Sequence, residues 1–258
     1  MRRRPVNYAL LLTIALATGV WAAAEIIVPV ATFSTLRPGA ALPPGWAPLQ
    51  TAGITAHTRY TLVDDSGITV LRADSSASAS GLSRQLRINP AEHPWLRWRW
   101  KINNVIAQAD LRTRAGDDFP ARLYVMFDYP LEKLPFFERN KLRLARALFD
   151  PNLPAATLCY VWDGNAPAES VVPSAYTDRV RLIVVESGIA RVRQWVDFER
   201  NVAIDFRTAF GEAAPPVSAI AIMTDTDNTG AAATSFFGDI SFYKHKLAEQ
   251  PNVAPAPR

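Results

Sequence analysis

The sequence predicts an all-β fold, an antiparallel β-sandwich of jelly-roll type with one inserted amphipathic helix. Three observations carry this expectation. From Val30 onward, short alternating or continuously apolar runs are separated by turn residues, as in strands joined by tight loops. Trp95 to Asn103 has a two-residue period, with Leu96, Trp98, Trp100 and Ile102 on one face and Arg97, Arg99, Lys101 and Asn103 on the other. Leu134 to Phe149 has helical spacing instead, which sets Phe137, Leu144 and Leu148 opposite Arg139, Arg143 and Arg146.

Taken in order, Arg2-Arg3-Arg4, the uncharged run Asn7 to Ala24 and the exit Ala22-Ala23-Ala24 before Glu25 have the three parts of a secretory signal peptide. Residues 1–24 are therefore expected to be cleaved and the product to be periplasmic, with no stable membrane span afterwards. An uncleaved anchor is the alternative, since a spanning helix needs about 20 apolar residues. No Cys follows the run to accept a lipid. Residues 25–245 are expected to form a single β-sandwich domain, and 246–258, rich in Pro and Ala, a disordered tail.

Strands are expected over 60–63, 68–73, 82–88, 95–102, 122–129, 157–162, 180–185, 192–198, 217–224 and 235–243. Asp64-Asp65-Ser66-Gly67 reads as the turn of a hairpin joining the first two. Leu123, Val125 and Phe127 alternate with Tyr124 and Met126, so both faces of that strand are apolar and it should be central or covered. The helix is expected to lie on the sandwich as a lid with its arginines in solvent; a basic amphipathic helix on anionic lipid is the alternative, disfavoured because the helix is short and lacks a large apolar face.

Charge and cysteine usage exclude several classes. The chain has 28 Lys and Arg against 24 Asp and Glu. Three of those arginines and no acid precede residue 25, so the mature chain is nearly balanced and a nucleic-acid partner is not expected. Cys159 is the only cysteine, which excludes an internal disulfide and, inside an apolar run, suits a small buried hydrophobe. No nucleophile elbow, zinc-helix histidine pair or phosphate loop is present.

Two acidic stretches are the candidate chemistry. Asp225-Thr226-Asp227-Asn228-Thr229-Gly230 places oxygen ligands at alternate positions before a Gly, like the first half of a calcium loop. Phe236 stands where an EF-hand needs Glu, so that motif is excluded and a different calcium site at Asp225 and Asp227, or a polar-ligand site including Asn228, is the expectation. The alternative is a tight loop whose side chains bond nearby amides. Gly116-Asp117-Asp118 could hold a cation or accept sugar hydroxyls, with Arg122 orienting them, or could be a solvated turn paired with Arg112 and Arg114. Trp98 and Trp100 read as core. Trp162, beside Asp163-Gly164-Asn165, is the candidate ligand-facing ring.

Leu42-Pro43-Pro44-Gly45-Trp46, Leu96 to Lys101, Gly116-Asp117-Asp118 with Arg122 and Phe127-Asp128, Gly211 with Pro215-Pro216, Met223 to Thr229 and Gly238-Asp239-Ile240 together resemble a bacterial family known as domain of unknown function 3047. The resemblance implies an exported protein and supplies no catalytic residue. The closing strand, acidic loop and Phe-Gly-Asp-Ile-Ser-Phe run is also similar to the end of galactose-binding-like and carbohydrate-binding jelly rolls, which bears on fold alone. The expected function is a non-catalytic binding module for a glycan or other polar envelope ligand. The alternatives are a carboxylate-dependent polysaccharide-cleaving enzyme using Asp117, Asp118, Asp225 and Asp227, and a structural or assembly partner in the envelope.

Overall fold

The computed structural model describes residues 27–50, 53–148 and 154–247, the side chains of 145–148 excepted. The expected signal peptide and residues 248–258 of the expected tail lie outside them. The described strands are β1 (Ile27–Ala31), β2 (Trp46–Gln50), β3 (Arg59–Asp65), β4 (Ile68–Ser76), β5 (Ala79–Ile88), β6 (Trp95–Ile102), β7 (Ala121–Phe127), β8 (Ala156–Asp163), β9 (Val171–Ser174), β10 (Thr177–Ser187), β11 (Val196–Asn201), β12 (Val217–Asp225) and β13 (Ala232–Tyr243). Two α-helices interrupt them, α1 (Phe136–Leu148) and α2 (Val202–Phe210).

The strands form two packed sheets. One runs β11-β6-β13-β4-β3, with β1 also pairing β13; the other runs β2-β5-β12-β7-β8-β10-β9. The expected alternation of β6 is present: Leu96, Trp98, Trp100 and Ile102 are all buried and meet the inward residues of the second sheet in one core. Trp98 lies between Tyr160 and Phe198, with ring centroids 5.0 and 5.1 Å away. On the opposite face Arg97 sits over the Tyr243 ring and Arg99 over Trp195, 3.7 and 4.6 Å from the centroids. Each guanidinium lies over an aromatic face, and that of Arg97 is also paired with Glu199 at 3.3 Å. The β3–β4 hairpin also stands as expected, with Ser66 and Gly67 at φ 61° and 85°, the two left-handed residues that a tight hairpin turn requires.

Several features depart from the expectation. β10 pairs β8 in parallel, while β9 pairs β10 antiparallel at the sheet edge. The chain turns back through β9 before entering β10, so β10 runs in the direction of β8 and the sandwich is not wholly antiparallel. The short edge strands β1, β2 and β9 lie outside the expected set, as does α2. Asn201 caps α2 by accepting from the Ile204 N–H at 3.0 Å, and Gly211 ends it at φ 77°. Phe206 on this helix packs 4.5 Å from Phe127. β11 starts at Val196, and the expected strand residues before it form a turn that contains Arg193 at φ 64°. The apolar side of α1 assigned to the sandwich is turned away from it: Phe137 and Leu144 are exposed, and the contact is made by Leu142 and by Leu134 ahead of the helix.

The outer face of the seven-stranded sheet is covered in one half only. There Leu111 and Phe119, from the segment before β7, bury Cys159, Val161, Leu182 and Val184 in a second small core. Burial pushes the Cys159 thiol up to about 12, so it stays a thiol and serves as packing. Among the described residues, the other half of this face is left as an open trough. Among the described residues, no helix is long and apolar enough to cross a membrane.

Candidate functional site

The trough has a volume of about 950 Å³. Its floor follows from strand alternation. On β7, Leu123, Val125 and Phe127 point into the core, so Arg122, Tyr124 and Met126 point out. On β12, Ile220 and Ile222 point in, and Ala219, Met223 and Asp225 line the trough. Residues of β2 form one wall, and Glu138, Lys141 and Leu142 of α1 overhang another part of the rim.

One end of the trough is closed by a buried ionic cluster. The antiparallel register puts Met223 opposite Arg122, so Asp225, two residues on and on the same face, lies diagonally within reach of the guanidinium. Arg122 Nε donates to Asp225 Oδ1 at 2.8 Å, and Nη2 donates to Asp225 Oδ2. The same arginine donates from Nη1 to Asp117 Oδ2 at 3.4 Å and from Nη2 to the Asp117 carbonyl, and its guanidinium lies 4.3 Å from the Phe119 centroid. Asp225 also accepts from the Phe119 N–H at 3.2 Å. Arg122 is 3% exposed and Asp225 4%. A two-pronged pair this deep is held by geometry, because each charge lacks water and needs the other.

The two acidic stretches therefore belong to one structure. Asp118, fully buried, accepts from the backbone N–H groups of Asn228 and Thr229 at 3.2 and 2.7 Å and from the Thr229 hydroxyl at 2.6 Å. Gly116 is required beside it, because a Cβ there would stand 2.6 Å from the Asp110 backbone nitrogen. Asp227 and Asn228 line the trough, and Asn228 Nδ2 donates to Tyr176 Oη at 3.3 Å. Asp117 Oδ1 is buried with no hydrogen-bond partner among the described residues.

The structure thus brings together Asp117, Asp118, Arg122, Asp225, Asp227 and Asn228. The turn at Asp117 and Asp118 is paired through Arg122 rather than through Arg112 and Arg114. Trp162 is not at this site and is corrected here. It is fully buried in the main core and its indole N–H donates to the Gly188 carbonyl at 3.0 Å. On β8 it shares the inward face with Tyr160, and both faces of that strand are covered. Tyr124, Met126 and Tyr176 also line the trough and were not among the expected residues. For Tyr124 and Met126 the signal was available, since they alternate with Leu123 and Val125 on the face of Arg122.

Crowded burial sets the electrostatics. Burial pushes Asp225 up to about 7 against the pull of Arg122, and Asp117 and Asp118 add to the rise. Asp117 is raised by burial, less the effect of Arg122, and Asp227 is raised by burial and then by Asp118. A carboxyl whose folded pKa exceeds its unfolded value binds more protons when folded, so stability falls as pH rises between the two. These groups predict a denaturation midpoint that climbs as pH is lowered from about 8 to about 5. Urea melts across that interval check this; a midpoint falling with acid would contradict it.

One oxygen from each of Asp118, Asp225 and Asp227 lies within 4.8 Å of the others, close enough to share a cation. Calcium takes six to eight oxygens. Here Asp225 and Asp118 already accept the donors named above, and Arg122 places a positive charge against Asp225. Glycoside cleavage generally sets two carboxyl groups about 5 to 9.5 Å apart around the bond. Of the clustered carboxyls, Asp117, Asp225 and Asp227 line the trough, while Asp118 lies fully buried behind them.

Fold and site define a class, a two-sheet β-sandwich with a ligand-sized trough on the outer face of one sheet. The chain belongs to the family described as "Protein of unknown function (DUF3047)", which matches residues 44–241 and so includes both acidic stretches. No curated protein matches the sequence. Among solved structures, the glycoside hydrolase domain of Endo-D from Streptococcus pneumoniae R6 is similar at 9% identity and a TM-score of 0.33. That alignment covers 80% of this chain and 22% of the other. The chain thus spans under a quarter of that protein's length, and a likeness this low carries no argument.

Proposed function

We propose that the protein is a non-catalytic, exported binding module that holds a glycan, or a similarly hydroxyl-rich envelope ligand, in the trough of the seven-stranded sheet. The observation that carries this reading is the trough's closed end, where Asp227 and Asn228 line the trough beside the buried cluster of Arg122, Asp117 and Asp225. Carboxylate and amide oxygens accept from sugar hydroxyls, while Tyr124, Met126 and Met223 offer apolar surface to the C–H faces of a ring. Asp225 is engaged by Arg122 and Asp118 by three donors, which supports binding over catalysis for these two carboxyls.

Thermal shift against a panel of envelope glycans tests the reading, because a ligand of the native state raises its apparent stability. At least one glycan is expected to raise the melting temperature of the wild type and to lose that effect in Asp227→Asn, while calcium and chelator leave the temperature unchanged. A chelator-sensitive melting temperature would assign the cluster to a cation instead. Export carries its own expected result: intact mass of material from the periplasmic fraction should place the first residue at or near Glu25. Recovery of Arg2 to Arg4 in that material would make the segment an anchor.

A further inference from the structure

α1 carries three large apolar side chains in solvent. Phe137 is 85% exposed, Phe136 61% and Leu144 60%, although Leu142 one turn away packs against the main core. At 3.6 residues per turn, Phe136, Leu144 and Phe137 fall within one arc of the helix, with the exposed Asn140 between them. Arg139 and Arg143 flank that arc on one side and Lys141 on the other, while Glu138 and Leu142 face the trough. The Arg139 guanidinium reaches to 5.9 Å from the Phe136 centroid. Over Leu131 to Leu144 the basic side chains are Lys133, Arg139, Lys141 and Arg143, against Glu132 and Glu138.

We propose that α1 is a membrane-surface contact that seats Phe136, Phe137 and Leu144 among the headgroups of an anionic lipid surface. An apolar strip bordered on both sides by Lys and Arg is the pattern of a helix lying in the interface plane, where buried apolar area and charge attraction add. The basic borders select this occupant over a second copy of the chain. A two-fold pairing through the strip would bring like-charged borders against each other. Because Glu138, Lys141 and Leu142 belong to the trough rim, the contact places that rim at the lipid surface. The inference rests on the exposed face of α1 and is independent of what the trough binds.

A reporter on α1 tests it in the full chain. Cys159 is buried and is the only cysteine, so Phe137→Cys supplies the one reactive thiol for an environment-sensitive fluorophore. The label is expected to shift to the blue with phosphatidylglycerol vesicles, to revert in high salt, and to stay unshifted with phosphatidylcholine vesicles. Reversing Arg139, Lys141 and Arg143 to Glu in the labelled chain should weaken the response roughly tenfold or more. An unchanged melting temperature shows that the fold is kept. Since the label reports from α1, lipid binding by the apolar run Asn7 to Ala24 does not produce the signal. No shift with phosphatidylglycerol, an equal shift with both lipids, or a lipid-free shift that grows with protein concentration would each overturn the proposal, the last by giving the face to a second copy.

Discussion

Replacing Arg122 with Met is expected to destabilise the fold by about 3 to 5 kcal/mol at pH 8, the range for breaking a buried ion pair by removing one partner. The loss comes from what is left behind. Asp225 and Asp117 would remain out of water, facing an apolar side chain in place of the guanidinium that now donates to both. The deficit should shrink towards pH 5, because Asp225 is already pushed up to about 7 with Arg122 present and would take a proton more readily without it. Adding Asp225→Leu should recover part of the loss, since a buried pair exchanged for apolar groups of similar volume is often neutral. Urea melts of the single and double variants at both pH values measure this. A single-variant loss below about 1 kcal/mol, the scale of an exposed ion pair, would show that the cluster is solvated and not a structural knot. The same geometry bears on Asp225→Asn. The turn chemistry of the loop suggests that Asn is tolerated there, but at Asp225 it halves a buried pair, so Asp227→Asn is the substitution that probes ligand binding.

Trp98→Ala is expected to cost about 3 to 5 kcal/mol, the range for emptying the site of a large buried aromatic. The indole is 3% exposed and sits between Tyr160 of the facing sheet and Phe198 of the neighbouring strand. Those rings cannot both collapse into the space it leaves. Arg99→Ala, one residue along the strand but on the outer face, should cost far less, because it gives up only a partly exposed contact with Trp195. Equal losses in denaturant melts would contradict the inward and outward alternation on which the whole sandwich rests.

What could be read from the sequence follows from what is local. The two-residue period of β6, the Asp64 to Gly67 hairpin and the helical spacing of α1 depend on neighbours a few positions apart, and all three stand in the structure. Long-range direction is not local, so the parallel pairing of β10 with β8 left no mark in composition or periodicity. α2 is short, follows β11 without a break, and was signalled only by Asn201 and Gly211 at its ends. At the site, both acidic stretches were legible because Asp and Asn beside Gly are conspicuous. Their union was not, since it depends on β7 lying beside β12 across roughly a hundred residues of chain. The turn beside Trp162 is a weaker guide than the strand period, which sets it two residues from Tyr160 on the same inward face. For α1 the spacing showed the faces correctly but not which of them meets the sandwich.

The central claim is that the trough is where a ligand binds, and one calorimetric comparison tests it most directly. Ala219 lies on the trough floor, opposite Gln85 on one side and Met126 on the other, so Ala219→Trp would fill the groove from below while leaving the buried ionic cluster in place. Titrating the best glycan from the thermal-shift panel into wild type and into this variant should give saturable heat for the wild type and none for Ala219→Trp, with both proteins melting cooperatively. Equal affinity in the two proteins would contradict the account, because the ligand would then be bound somewhere other than the trough.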